Sequence, residues 1–125
     1  PAAIARSRDT ATNPAMCEAF ALVIIADGEA PAYPGLARTP PDLEAAHRNA
    51  RNIDLAAAAL RKVAPNAGSY VSESSFFNAG WKREFWGANA ARLEAVKAKY
   101  DPEGLFFVHH GLGSDAWSED GFWRL

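Results

Sequence analysis

Cysteine is nearly absent. Cys17 is the only one in 125 residues, so the chain can form no internal disulfide and no cysteine-built metal site. This leaves the compartment open, since a secreted protein can also lack disulfides. An excess of basic charge is missing too. The formal net charge is −2, which excludes a field that would draw nucleic acid or an anionic membrane. Long apolar runs are absent. The longest, Ala19–Ala26, falls far short of the roughly 20 residues needed to cross a bilayer. No G-x-G-x-x-G or Walker loop is present, so the common short signature of a nucleotide-phosphate cradle is missing. There is no G-x-S-x-G elbow either, and a hydrolase triad drawn from Ser72, His109 and Asp115 has no motif behind it. His109 and His110 are the one adjacent histidine pair. On a strand they would point to opposite faces, so no metal site is expected. His47 reads as a helix-surface residue. The chain opens Pro1-Ala2-Ala3-Ile4, without Met or a signal-peptide pattern, as a truncated or processed product of a longer parent would.

Apolar and aromatic residues are plentiful. Hydrophobic residues make up 49% of the chain, with seven Phe, four Trp and three Tyr, enough for the core of one small domain. Residues 1–18 are small and polar and read as an arm. Phe20-Ala21-Leu22-Val23-Ile24-Ile25-Ala26 is short and β-branched, the pattern of a buried strand, ended by Asp27-Gly28. Pro31, Pro34, Gly35, Pro40 and Pro41 break regular structure beyond it. A helix follows, with Thr39 as its cap and Leu43, Ala46, Ala50, Ile53, Ala57 and Leu60 as one apolar stripe. Arg61 and Lys62 suit its last turn, and Pro65 stops it. Ser69–Ser74 reads as a second strand, followed by an aromatic loop through Phe76, Phe77 and Trp81. A second helix over about 82–100 places Trp86, Asn89, Leu93, Val96 and Tyr100 on one side. Asp101-Pro102 ends it, and Leu105–Val108 reads as a third strand.

The expected fold class is therefore α+β: a small antiparallel sheet of about three strands with two long helices, forming part of a larger substrate domain. The strand–helix alternation would also suit a parallel unit. The expected organisation is an arm at 1–18, an α+β core at 19–108 and an aromatic tail at 109–125 that packs on something. Strand alternation would put Tyr70 and Ser72 on one face and Val71 and Glu73 on the other. Glu73 beside an aromatic wall is a candidate general base, and Asn89 on a buried helix side needs partners that a ligand could supply.

The motifs Tyr70-x-Ser72-Glu73, Phe85-Trp86-Gly87-x-Asn89-x-x-Arg92-Leu93 and Lys97-x-Lys99-Tyr100-Asp101-Pro102, with Gly104, Leu105 and Phe106 after them, resemble the C-terminal segment of the berberine-bridge-enzyme-like group of the vanillyl-alcohol-oxidase superfamily. Thr12-Asn13-Pro14 is similar to the family's preceding segment. His109-His110-Gly111-Leu112-Gly113-Ser114-Asp115-Ala116-Trp117 resembles an ending common in its fungal branch. The resemblance implies an FAD-dependent oxidoreductase that passes hydride from a small organic substrate to the flavin. It implies Glu73 as base, Tyr70, Glu73 and Trp81 on the substrate side, and Ser72 and Asn89 near the flavin. Ser72 stands where the family has Asn, and Ala90 where it has Tyr. FAD would be bound mainly by a complementary chain or an N-terminal domain that is not in this sequence, so the chain alone would be inactive. A soluble parent of fungal type, for which secretion would be suitable, is implied as well. The competing reading is a non-catalytic binding or assembly module, folding alone as a homodimer that hides its edge strands.

Overall fold

A computed structural model describes residues 2–28, 35 and 40–125. They fall into two compact units, Ala21–Asn66 and the combination of Pro1–Phe20 with Ala67–Leu125.

The Ala21–Asn66 unit is built on one long helix, α2 (Leu43–Val63); α1 (Ala2–Arg8) belongs to the other unit. Asp42, rather than Thr39, caps α2, its carboxylate accepting the Ala45 N–H at 2.9 Å. Thr39, Pro31 and Pro34 lie outside the described residues. Glu44 in the first turn and Arg61 and Lys62 in the last complement the helix dipole. Of the expected stripe, Ile53, Ala57 and Leu60 are half-buried, whereas Leu43, Ala46 and Ala50 are exposed.

The other unit holds α1 (Ala2–Arg8), α3 (Trp81–Trp86) and α4 (Ala90–Tyr100), with single 3-10 turns at Pro14–Cys17, Val71–Glu73, Gly87–Asn89 and Ser114–Ala116. The arm read as irregular therefore begins with a helix. Ala2, Ala3 and Ala5 favour it intrinsically, and composition alone hid this behind the polar residues that follow.

The α+β expectation is corrected. Among the described residues the regular structure is helical, and the β pairing is one isolated antiparallel bridge, Trp117 with Arg124. Each expected strand fails for a local reason. Phe20, Leu22, Val23 and Ile24 are exposed and have no ladder beside them, and β-branched composition expresses a fit to a sheet rather than a backbone preference strong enough to act alone. Ser69–Ser74 closes into a 3-10 turn in which the Glu73 N–H reaches the Tyr70 carbonyl at 3.1 Å. Short hydroxyl side chains assist, as where Ser75 Oγ accepts the Phe77 N–H at 3.2 Å. Around Leu105–Val108, side chains occupy the backbone groups that a ladder would use. Asp101 accepts the Leu105 N–H at 2.8 Å and the Phe106 N–H at 3.0 Å, while Lys97 donates to the Phe106 carbonyl at 2.6 Å.

The expected helix over 82–100 is broken in the middle. Gly87 adopts φ 51° and ψ −131°, a conformation open in practice to glycine alone. A Cβ there would stand 2.4 Å from Asn13 Oδ1. Asn13 fills the space. Its amide donates to the Glu84 carbonyl at 2.7 Å, and its Oδ1 accepts the Ala15 N–H at 3.0 Å, starting the Pro14–Cys17 turn. The Ser69 N–H reaches the same Glu84 carbonyl at 2.9 Å. Gly68 is the second close approach, since a Cβ there would meet Asn13 Nδ2 at 2.9 Å. Three distant stretches of chain thus meet at the end of α3.

The aromatic tail packs in part. The Trp117 ring lies where a Cβ on Gly104 would be, 2.6 Å away, and Phe107 covers Gly121 in the same manner. Phe122 and Trp123 are exposed.

Asn13→Ala should cost about 0.5–2 kcal/mol, because it removes the cap of the Pro14–Cys17 turn and one of the two hydrogen bonds on the Glu84 carbonyl. Gly87→Ala should cost about 1–3 kcal/mol through its backbone conformation. Equilibrium urea unfolding checks both. The double variant should lose less than the sum, since both changes damage one joint.

Candidate functional site

The Val71–Glu73 turn carries Ser72 and Glu73, and Tyr70 precedes it as an extended cap. No strand forms here, so strand alternation does not set where these side chains face. Tyr70, Ser72 and Glu73 are all exposed. The turn is pinned on both flanks. Ser69 is held by the Glu84 carbonyl, and Ser74 Oγ accepts from Asn78 Nδ2 at 3.0 Å. Asn78 Nδ2 also donates to Glu84 Oε2 at 2.9 Å, and Asn78 Oδ1 accepts the Gly80 N–H at 3.0 Å. Asn78 and Glu84 are each only 6% exposed, so an amide and a carboxylate sit in the core of this small unit. Arg83 reaches Glu84 Oε1 at 3.4 Å.

An aromatic cluster stands beyond the turn. Phe76 stacks on His109 with ring centroids 3.9 Å apart, and Trp81 lies nearly parallel to His110 at 5.5 Å. The two histidine rings are 3.8 Å apart. The expectation that they diverge fails because no strand forms here and His110 takes a left-handed φ of 59°. Burial, reinforced by His109, pushes the His110 pKa below its ordinary value. His109 Nε2 is 2.8 Å from the Phe76 carbonyl, and Asp115 is paired with Lys82 at 2.8 Å, so the paper triad with Ser72 does not assemble. Among the described residues no group of His, Cys, Asp and Glu could hold a metal ion. Trp81 contacts Phe85 and His110 and carries the Lys82 ammonium 5.4 Å from its ring centre.

Asn89 lies on the other side of the helix break. Its amide nitrogen donates to the carbonyls of Arg8, Thr10 and Thr12 at 3.1, 2.9 and 3.0 Å. Arg92 adds a bond to the Thr10 carbonyl at 2.8 Å. With two amide hydrogens and three acceptors, the donor capacity of Asn89 is spent on the arm. Neither Asn89 nor the exposed Ser72 makes a cradle for FAD on this chain alone. Residues including Lys97, Phe107, Leu112 and Trp117 line a small hollow. Among the described residues, no helix is long and apolar enough to cross a membrane.

Sequence reasoning missed Asn78 and Glu84. Asn78 lies in a turn and Glu84 in a helix, so no single element's period links them, and only the burial of a carboxylate marks them. Asn13 did carry a signal, since Asn before Pro favours turn initiation.

The profile of the family described as "Berberine and berberine like" matches residues 46–113, more than half of the chain. The chain belongs to the berberine and berberine-like family. It corresponds to the family's C-terminal segment. It is 49% identical over 70 residues to the FAD-linked oxidoreductase cheF of Chaetomium globosum, a match covering 54% of this chain and 11% of that protein. It is 44% identical over 61 residues to the VAO-type flavoprotein oxidase VAO615 of Thermothelomyces thermophilus, covering 49% and 11%. The FAD-linked oxidoreductase orf1 of Neocamarosporium betae matches over 90 residues at 34% identity, covering 68% and 15%. The matched stretch thus spans only 11% to 15% of the length of these fungal relatives. No solved structure matches the chain.

The berberine-like Asp-Pro stop yields a pH prediction. The Lys97 ammonium, followed by the backbone N–H groups of Phe106 and Leu105, holds the Asp101 carboxyl below its ordinary value of about 3.8. A carboxyl lowered by folding stabilises the fold fully above the unfolded pKa, and that support is lost as pH falls through the folded one. Acid unfolding followed from pH 6 downwards should therefore show a loss of stability below about pH 4 that Asp101→Asn removes, together with a less stable variant at neutral pH.

Proposed function

We propose that this chain is the substrate-side C-terminal part of an FAD-linked oxidoreductase that oxidises a small organic molecule. The remainder of the parent protein supplies the flavin site. Glu73 is the base that takes a proton from the substrate. Tyr70, the cap of the turn, orients that substrate, and Trp81 belongs to the aromatic wall beside it. Ser72 and Asn89 border the flavin edge of the assembled site, with Asn89 acting through the arm it holds. One observation supports the reading: the family match runs through a turn at which Tyr70, Ser72 and Glu73 are all exposed. The exposure of the large apolar side chains Leu105, Phe106, Phe122 and Trp123 is in keeping with a larger parent that covers them.

Material from the native source tests this. Flavin absorption bands in a protein that contains this sequence within a longer or complementary polypeptide are expected. Glu73→Gln in that protein should lower kcat with a panel of primary alcohols and sugars by roughly 100-fold or more, the scale of a lost general base. A colourless species of 13.5 kDa, or a Glu73→Gln variant with unchanged turnover, would contradict the reading.

A further inference from the structure

We infer that Glu84 is a positioning residue for the Tyr70–Glu73 turn, gripping it at both ends from the interior; this rests on the reading of that turn as the substrate-side edge. Its main-chain carbonyl accepts the Ser69 N–H at 2.9 Å, immediately before Tyr70. Its carboxylate accepts from Asn78 Nδ2 at 2.9 Å, and the same nitrogen donates to Ser74 Oγ at 3.0 Å, immediately after Glu73. Three of the four residues between Ser69 and Ser74, namely Tyr70, Ser72 and Glu73, are candidate site residues. One α3 residue therefore sets where the segment enters and where it leaves.

The chemistry at this position favours positioning over plain packing. A carboxylate that is 6% exposed is costly to bury, and an apolar side chain of similar volume would fill the space at lower cost. What the carboxylate adds is reach and an acceptor. Asn78 has two amide hydrogens, and its bonds to Glu84 and Ser74 match that capacity. Its Oδ1 takes the Gly80 N–H, closing the turn that leads into α3. A Cβ at Gly80 would come within 3.0 Å of Glu84 Oε1, so glycine leaves room for the carboxylate. Within the exposed turn itself, the Glu73 N–H bonds to the Tyr70 carbonyl at 3.1 Å.

The test uses the intact parent flavoprotein and the variants Glu84→Ala, Glu84→Gln and Ser74→Ala, each with and without Glu73→Gln. Two readouts are taken: amide hydrogen exchange across residues 70–78, and kcat by oxygen uptake with the fastest primary alcohol of the panel. Glu84→Ala and Ser74→Ala should speed exchange by about ten-fold, as local opening becomes easier. Glu84→Gln, whose amide oxygen still accepts from Asn78, should rescue exchange and kcat to within about two-fold. Glu84→Ala should lower kcat roughly 10- to 100-fold, the scale of a misplaced catalytic group, and by less than two-fold once Glu73 is already Gln. Ser74→Ala removes only the last link and carries the same comparisons if Glu84→Ala does not fold. Unchanged exchange in both variants overturns the grip. An equal kcat loss with and without Glu73 overturns the positioning role and makes Glu84 a stability residue only. Faster exchange with no kcat effect of Glu73→Gln refutes the site reading instead, and the positioning role falls with it while the grip stands.

Discussion

The side-chain amide of Asn13 holds this unit together. It enters the gap left where the helix breaks at Gly87 and donates to the Glu84 carbonyl, which the break has removed from the helical ladder. A helix end leaves its last carbonyls without intrahelical partners, and a buried end without substitutes is unstable. Here the substitutes come from far away in sequence, from Asn13 and from the Ser69 N–H. The arm, the candidate turn and the helix pair are thereby tied to one carbonyl. Glycine at 68 and 87 is the steric condition for it, because a methyl group at either position would occupy the space of the Asn13 side chain.

Around that joint the family motifs take on structural duties. Asn89 and Arg92 hold the arm through the carbonyls of Arg8, Thr10 and Thr12. Lys82 reaches from α3 to Glu94 on α4 and to Asp115 in the tail. Lys97 and Asp101 fasten the chain after α4 through the backbone of Leu105 and Phe106. Polar side chains clamping backbone groups are numerous, while Phe85 is the one core hydrophobic below a tenth exposed among the described residues. The arrangement suits a segment whose apolar side chains face outward and whose own order comes from hydrogen bonds. It leaves the Tyr70–Glu73 turn on the surface, fixed from beneath by Asn78 and Glu84.

How much of this was legible in the sequence depended on whether the information was local. The α2 helix could be read because its period, its terminal charges and Pro65 all agree. The Asp101-Pro102 stop could be read for the same reason. Family membership was legible in ordered motifs. The sheet was misread because β-branched runs such as Leu22–Ile25 describe side chains that suit a strand, while a strand exists only where another supplies its hydrogen bonds. The single helix over 82–100 was misread because Gly87 alone does not announce a break. What makes the break favourable is Asn13, more than seventy residues earlier. Tyr70 and Glu73 were found by motif and placed on opposite faces by strand alternation, and a 3-10 turn stands where that strand was expected. Asn78 and Glu84 could not be found, since nothing in their spacing foretells a buried pair.

A remote asparagine holds the broken helix and, through it, the candidate turn. The decisive measurement is a crystal structure of the intact parent protein, read at the Asn13–Gly87 joint. Gly87 is expected at positive φ, with the Asn13 amide within hydrogen-bonding distance of the Glu84 carbonyl and the Ser69 N–H on the same oxygen. An unbroken helix from Trp81 to Tyr100, with Asn13 elsewhere, would contradict it.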